Sequence, residues 1–419
     1  MKIPVKTKVK TRNILVFNCG SSSLKYRLIE MPGEKELAAG EAQRIGPRTS
    51  ERARIIYRQD GREETVFADM PDHAAAFEQV LLMLKKSNSG KVDAIGHRVV
   101  HGADIFKQHT LIDENALAGL KLTLDIAPLH NPPAVALIEA CHRMYPELPQ
   151  AAVFDTIFHS TIPWHAAAYA LPRLLSRRFK IKKYGFHGTS HKYVAEEAAK
   201  LLGRPLEELN AVSCHLGSGG ASLCAIKNGR SIDNTMGYSP LPGLVMSTRS
   251  GDIDPALALR ISAAQGGGFL ELEKILNKKS GVLGMSGVSA DIRDIFAAVN
   301  RGGGKDERLG LTLQVYLWRL RKSLGSYLAV TGVPDAVIFT DTIGETVPEV
   351  REAACSGFDA FGLKLDMEKN NNAAQLPCDI SADNSRVRVF VIAANEELAI
   401  ARVTQGLLEG RAEKTEAIT

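Results

Sequence analysis

An apolar run interrupted by one glycine and three serines, Ile14-Leu15-Val16-Phe17-Asn18-Cys19-Gly20-Ser21-Ser22-Ser23-Leu24-Lys25-Tyr26-Arg27-Leu28-Ile29, is the stretch that most limits how this chain folds. Short apolar runs around a Gly/Ser break predict two strands joined by a tight turn. At such a turn backbone N–H groups and the hydroxyls of Ser21 and Ser23 can converge on an anion, with Lys25 adding charge: a phosphate cradle. An ordinary hairpin with small turn residues has the same local pattern, and recurrence is what separates the two readings. Val212-Ser213-Cys214-His215-Leu216-Gly217-Ser218-Gly219-Gly220-Ala221-Ser222-Leu223-Cys224-Ala225-Ile226 repeats the plan, and Val337-Ile338-Phe339-Thr340-Asp341-Thr342-Ile343-Gly344-Glu345 is a third, shorter version. Three such turns predict two related halves facing each other across a nucleotide. The chain carries no G-x-x-x-x-G-K-[ST] loop, so it is not a P-loop enzyme.

With 419 residues, 45% of them hydrophobic, the chain can bury the cores of two or three domains. The formal charge of +5 is modest for this length and the basic residues form no single long patch, which points to small anionic ligands rather than nucleic acid. Cys19, Cys141, Cys214, Cys224, Cys355 and Cys378 stand far apart without a C-x-x-C pair. That argues against a disulfide framework and a zinc site, and for a reduced, cytoplasmic compartment. Residues 1–12 are basic with no acid, and the apolar run after them is too short for a signal sequence, so they read as a disordered or cloning-derived extension. No stretch approaches the roughly 20 apolar residues of a membrane span.

Along the chain, Arg54 to Phe67 reads as a hairpin turning at Asp60-Gly61, and His73 to Lys86 as a helix capped by Asp72. Asp93 to Val100 is a strand pattern, and Asn131-Pro132-Pro133 opens a helix to about Met144 with the asparagine as cap. Ala151 to Phe154 forms a strand ending on Asp155, at the kind of strand terminus where α/β folds place ligands. In the second half, the loop Tyr184 to Thr189 precedes a helix from Ser190, and Asn228-Gly229 marks another hairpin. Helical patterns fill Asp254 to Val330, the longest from about Glu307. Strand 336–340, a helix from about Val347, strand 387–392 and a helix after Asn395 finish the chain, with Asn370-Asn371-Asn372 as a surface loop. Hairpins followed by alternating helices and strands, occurring twice, predict a duplicated α/β fold with a cleft between halves.

These residues resemble the acetate and propionate kinase family from about Asn13 to Leu408. The resemblance is carried, in order, by the first turn through Lys25, by Gly96-His97-Arg98-Val99-Val100-His101-Gly102 and by Pro128-Leu129-His130-Asn131-Pro132-Pro133. Val153-Phe154-Asp155-Thr156, Tyr184-Gly185-Phe186-His187-Gly188-Thr189-Ser190-His191, Thr248-Arg249-Ser250-Gly251-Asp252-Ile253-Asp254-Pro255 and Asn395-Glu396-Glu397-Leu398 follow. The resemblance implies two duplicated domains of the sugar kinase/actin-like ATPase (ribonuclease H-like) type with the active site in the interdomain cleft. It implies residues 13–158 plus 396–419 as the acyl-side domain, 159–395 as the nucleotide-side domain, and a homodimer. The implied reaction is reversible transfer of the ATP γ-phosphoryl group to acetate, giving acetyl phosphate and ADP, with Mg²⁺, or Mn²⁺ in its place.

A carboxylate acceptor is already ionised at neutral pH, so no strong general base is needed. The task is to hold two anions together and neutralise the transferring phosphoryl in line. By resemblance, Arg98 holds the substrate carboxylate, for which a planar fork is suited. Asp155 is the family's essential aspartate, and His187 and Arg249 stabilise the transition state. Asn18 and Glu396 are magnesium-associated; Glu396 equally reads as a first-turn acid at a helix N-terminus. His215, Leu216, Gly217, Ser218 and Gly219 match the second phosphate loop. Asp291, Ile292 and Arg293, with Thr342, Ile343, Gly344, Glu345 and Thr346, match nucleotide contacts. Val100, Leu129, Phe186 and Pro240 match an apolar pocket for the substrate methyl group.

The departures lie on the nucleotide side. Where the family usually reads Ala-Gly-Ile-Gly-Glu-Asn, this chain has Asp341-Thr342-Ile343-Gly344-Glu345-Thr346, and Ser218 stands for the usual asparagine. A β-branched residue where glycine gives close approach or a positive φ would clash or reshape the loop, predicting altered adenosine binding. The alternatives are a propionate kinase, a non-ATP donor such as pyrophosphate, and a non-catalytic nucleotide-binding protein of the same fold, disfavoured because Arg98, Asp155, His187, Arg249 and Glu396 are all present.

Overall fold

The computed structural model describes residues 10–46, 51–265, 268–302 and 306–410. They form two compact units, one of the described residues up to Ile157 together with those from Asn395 onward, the other of Phe158–Ala394. The first strand starts at Arg12, which therefore does not belong to a basic extension; residues 1–9 lie outside the described residues.

The first unit is built on strands β1 (Arg12–Cys19), β2 (Ser23–Met31), β3 (Lys35–Gln43), β4 (Arg54–Gln59), β5 (Arg62–Phe67), β6 (Ala94–Val99), β7 (Thr110–Leu111) and β8 (Gln150–Phe154). They form one mixed sheet in the order β5-β4-β3-β2-β1-β6-β8-β7. Ile14 to Phe17 are buried without alternation, as a central strand covered on both faces requires. In β2, buried Leu24, Tyr26 and Leu28 alternate with outward Lys25 and Arg27. Asp60 and Gly61 have φ of 48° and 75°, the left-handed pair that a two-residue hairpin needs. β1, β6 and β8 run parallel, with Phe17 beside His97 and Val99 beside Phe154, so three strands end side by side. The C-terminal helix Glu396–Leu408 lies on them. It can do so because a Cβ at Gly96 would stand 2.7 Å from Ile400 Cγ2 and Thr404 Oγ1.

Helix His73–Lys86 is capped by Asp72, whose Oδ1 accepts from Ala75 N at 2.8 Å. Helix Asn131–Met144 also forms, but Asn131 is not its cap: His130 holds that place and Asn131 is fully buried. Its Nδ2 donates to His101 O (2.9 Å) and Thr123 Oγ1 (2.7 Å), and its Oδ1 accepts from His101 N (3.2 Å). Buried polar groups are almost always hydrogen-bonded, and this amide satisfies both backbone groups of His101.

The second unit holds β9 (Ala211–Leu216), β10 (Ala221–Lys227), β11 (Arg230–Asn234), β12 (Ala336–Thr340), β13 (Cys378–Asp379) and β14 (Arg388–Val391), in the order β11-β10-β9-β12-β14-β13. β9, β12 and β14 are parallel and β10 is antiparallel to β9, which repeats the arrangement β2-β1-β6-β8. The two hairpin turns close with the same bond, Gly20 N to Ser23 O at 2.9 Å and Gly217 N to Gly220 O at 3.0 Å. The third turn is different. After β12 the chain enters the short helix Asp341–Thr346 instead of a second strand, and the positive φ of 63° falls on Asp341, not on Thr342.

Two further expectations are revised. Helix Gly188–Leu201 begins inside the stretch read as a loop. Asn370 and Asn371 belong to helix Met367–Asn371, and Asn370 is buried because Arg351 claims it: Arg351 Nε donates to its Oδ1 and Nη2 to its carbonyl, both at 2.7 Å. Arg351 Nη1 donates to Gly344 O and Glu345 O at 2.9 Å, tying the third turn to that helix. The six cysteines are free thiols. Among the described residues no helix is long and apolar enough to cross a membrane. Replacing Arg351 with methionine leaves four acceptor contacts, three of them buried, without their donors, so a loss of about 3 kcal/mol is expected, read as a lowered denaturant midpoint for this unit; an unchanged midpoint would refute the role given to Arg351.

Candidate active site

In the first unit the ends of β1, β6 and β8 and the start of the C-terminal helix bring four predicted residues together. Arg98 Nε donates to Asp155 Oδ2 (3.0 Å) and Oδ1 (3.2 Å), and Nη2 donates to Oδ2 at 2.6 Å. Arg98 Nη1 lies 2.9 Å from Glu396 Oε2 and 3.4 Å from Asn18 Oδ1, while Asn18 Nδ2 donates to Glu396 Oε2 at 3.3 Å. Burial works against the guanidinium's charge, but the carboxylates of Asp155 and Glu396 outweigh it and hold the Arg98 pKa above its ordinary value. The edge of the guanidinium suited to a carboxylate is taken by Asp155. Of its five N–H groups one on Nη2 is left without a protein acceptor among the described residues. Lys25 is exposed and pairs across the hairpin with Asn18, so both extend to the same face beside Ser21 and Ser23.

One guanidinium against two carboxylates leaves this cluster with a net negative charge, and its donors are hard oxygens. Hard oxygen donors of this kind, beside surplus negative charge, suit a divalent cation of the Mg²⁺ type. Among the described residues no group of three or more His, Cys, Asp or Glu forms a denser metal shell.

In the second unit the equivalent turn is surrounded by histidines. His187 precedes helix Gly188–Leu201 with a left-handed φ of 57°, an unusual backbone for a non-glycine residue. Its Nδ1 is 2.9 Å from Ser222 Oγ, and His191 Nε2 is 2.8 Å from the same hydroxyl. Ser222 has one proton to donate, so at least one of these ring nitrogens carries its own. Burial, then His159 and His215, pushes His191 well below the ordinary histidine pKa and keeps it neutral. The rings of His187 and His215 are 4.2 Å apart. An ideal Cβ on Gly220 would have Arg249 Nη2 and His187 Nε2 each at 3.4 Å, so the two predicted transition-state residues converge on that glycine. Arg249 donates to Pro240 O (2.8 Å) and Gly219 O (3.4 Å) and has no acidic partner among the described residues. Burial alone lowers its pKa, and it stays charged.

The remaining predicted residues divide. Gly217, Ser218, Asp291, Ile292 and Ile343 line one narrow cleft. Asp291 and Arg293 bind each other, Arg293 Nε donating to Asp291 Oδ1 at 3.0 Å, and that bond first of all lowers the Asp291 pKa. Leu216 is buried under the turn, and Gly344 and Thr346 belong to the short helix after β12. Glu345 Oε1 accepts from Asp341 N (2.8 Å) and Ala394 N (2.7 Å); burial raises its pKa despite these bonds. Of the apolar set, half-buried Val100 and exposed Leu129 belong to the first unit, half-buried Pro240 and fully buried Phe186 to the second.

Sequence reasoning missed Asp341. Its Oδ2 is 3.0 Å from His215 Nε2, and its Oδ1 accepts from Thr342 N (2.6 Å) and Thr342 Oγ1 (2.9 Å). Burial disfavours the carboxylate, but His215 and the Thr342 bonds prevail and hold its pKa far below the usual range. The added charge in the third turn was the available signal. Ser190, 2.9 Å from His215 Nδ1, and Ser222 were missed for lack of any sequence signal beyond small polar residues.

Two α/β units, each with a hairpin leading into parallel strands and a small-residue turn at the strand ends, define a two-domain fold of the actin-like ATPase type. The acetokinase family matches residues 13–402. The chain is 46% identical to the acetate kinase of Dictyoglomus turgidum over 398 residues, 93% of this chain and 96% of that one, and 44% identical to that of Acetivibrio thermocellus over 95% of this chain and 99% of that one. Among solved structures, it is similar to Porphyromonas gingivalis acetate kinase, with a TM-score of 0.88 and 37% identity over 95% of this chain and 100% of that one. A propionate kinase from Francisella tularensis gives 0.87 and 39% over 94% and 100%. The chain belongs to the acetokinase family.

His97, beside Arg98, is buried with Nε2 2.8 Å from Gln150 Oε1, and burial lowers its pKa to about 4. An unfolded histidine titrates near pH 6.5, so between roughly pH 6.5 and 4 the unfolded state binds the extra proton and stability falls as pH falls. His97→Gln is expected to flatten this slope in denaturant unfolding across that window; an unchanged slope would show that His97 is not the group being titrated.

Proposed function

We propose that the protein transfers the γ-phosphoryl group of ATP to acetate, reversibly, by direct in-line attack of the carboxylate, giving acetyl phosphate and ADP. The observation that supports this most is Arg249, a half-buried cation held by carbonyl oxygens beside His187 at a Gly/Ser turn, with no acidic partner among the described residues. A guanidinium so placed has charge to offer an anion, where one paired with a carboxylate would not. Membership of a family whose relatives are named acetate kinase supports the acceptor.

In this reading Arg98 offers the acetate carboxylate its remaining Nη2 N–H, with its plane fixed by Asp155. His187 donates to the phosphoryl oxygens, its ring oriented by Ser222, while Arg249 neutralises the charge that builds on them. Ser21, Ser23 and Lys25, with the turn from His215 to Gly219, take donor phosphates, and the residues of the cleft around Asp291 and Ile343 hold the nucleoside. Mg²⁺, when bound with Asn18 and Glu396, supplies charge neutralisation to the phosphates. The same reading makes the protein a cytoplasmic homodimer, for which family membership is the support. Propionate is the second acceptor to consider, because a propionate kinase is among the similar structures and one methylene typically changes discrimination by only about 1–3 kcal/mol.

Protein mixed with MgATP, acetate and hydroxylamine is expected to yield acetohydroxamate, with EDTA abolishing it; no hydroxamate with either acetate or propionate would sink the reading. Arg249→Ala should lower kcat by about 100-fold or more with a smaller change in KM. An equal kcat with a raised KM would instead assign Arg249 to ground-state binding.

A further inference from the structure

We propose that Asp341 sets how tightly this enzyme binds its phosphate donor, by fixing a negative charge against the second Gly/Ser turn. The inference rests on the functional reading above, which places donor phosphates at that turn, and adds to it a residue that opposes their binding.

The geometry has three parts. First, the carboxylate lies directly on the turn, where a Cβ added to Gly217 would run into Asp341 Oδ2. Second, both of its oxygens are engaged. Thr342 N and Oγ1 hold Oδ1, His215 Nε2 lies against Oδ2, and Glu345 Oε1 anchors the Asp341 backbone N–H. Third, the backbone there takes a left-handed φ of 63°, which aspartate and asparagine tolerate better than most side chains. The pairing of Thr340 with His215 across β12 and β9 brings the two residues to one place.

Around this carboxylate stand His215, with Ser190 on its far nitrogen, His187 at 4.2 Å ring to ring, Arg249 beyond Gly220, and the Glu345 carboxylate. A protonated His215 would be matched one for one by Asp341, and a neutral His215 leaves the acid's charge uncancelled. At a given protonation state of His215 the turn offers a phosphate one unit less positive charge than it would without Asp341. The ligand class affected is therefore the polyphosphate part of the donor, not its nucleoside.

Asparagine and glycine both suit a positive φ, so Asp341→Asn and Asp341→Gly remove the charge without forcing the backbone. In calorimetric titrations without acetate, both variants should bind MgATP about tenfold more tightly than the parent, as removal of one nearby like charge predicts at the effective dielectric of a partly buried site. Adenosine, which carries no phosphate, should bind all three proteins within twofold. Unchanged or weakened MgATP binding in both variants would overturn the proposal, as would a parallel gain for adenosine, which would show that Asp341 acts through loop shape. The hydroxamate assay on the parent tests the functional reading separately: a parent that makes no acyl phosphate from MgATP refutes that reading, while the titrations still decide whether Asp341 opposes polyphosphate binding.

Discussion

Keeping a positive charge at the end of a buried strand is the constraint on which the rest of this structure depends. Arg98 stands where β1, β6 and β8 terminate, and burial there would expel an unpaired guanidinium. Asp155 on the neighbouring strand end and Glu396 on a helix nearly three hundred residues later compensate it. The return of the C-terminal helix to the first unit is thereby both a packing event, made possible by Gly96, and an electrostatic one. Replacing a buried pair of this kind by one partner alone is far more costly than never having built it, which makes the four residues a unit.

The second unit meets the same constraint differently. Its cation beside the Gly/Ser turn, Arg249, has carbonyl dipoles as its protein partners, and its histidines are paired with serine hydroxyls. One unit thus presents a compensated cation with surplus negative charge, the other a cation available to a ligand. Asp341 is the exception, a carboxylate set among the histidines and held there by His215 and Thr342. A charge that is fixed rather than mobile acts on every anion that approaches, so its effect belongs to binding and not to a conformational switch.

Much of this was legible in the linear order of residues because it is local. The two Gly/Ser turns, the Asp60-Gly61 hairpin and the Asp72 cap depend on φ preferences and on acceptors a few residues away, and each occurs where the pattern placed it. Arg98, Asp155, Asn18 and Glu396 were identified through motif resemblance, and no periodicity would have joined residues so far apart in the chain. Asn131 and Asn370 were misread for the opposite reason. Both look like local capping or loop residues, and both are claimed by distant buried partners, His101 and Arg351, that a short window does not contain.

The amino-acid sequence by itself determined many of the strands and helices, where the small-residue turns fall and which family the chain resembles, since those follow from short-range sterics, from apolar period and from motif order. Only the tertiary structure decided that the positive φ of the third turn sits on Asp341 and not on Thr342, that His187 and Arg249 converge on Gly220, and that Asp155 occupies the fork of Arg98. Those outcomes depend on the register between β9 and β12 and on how charges compete for the same few partners, and pairing between distant strands is information that no local stretch of the chain carries.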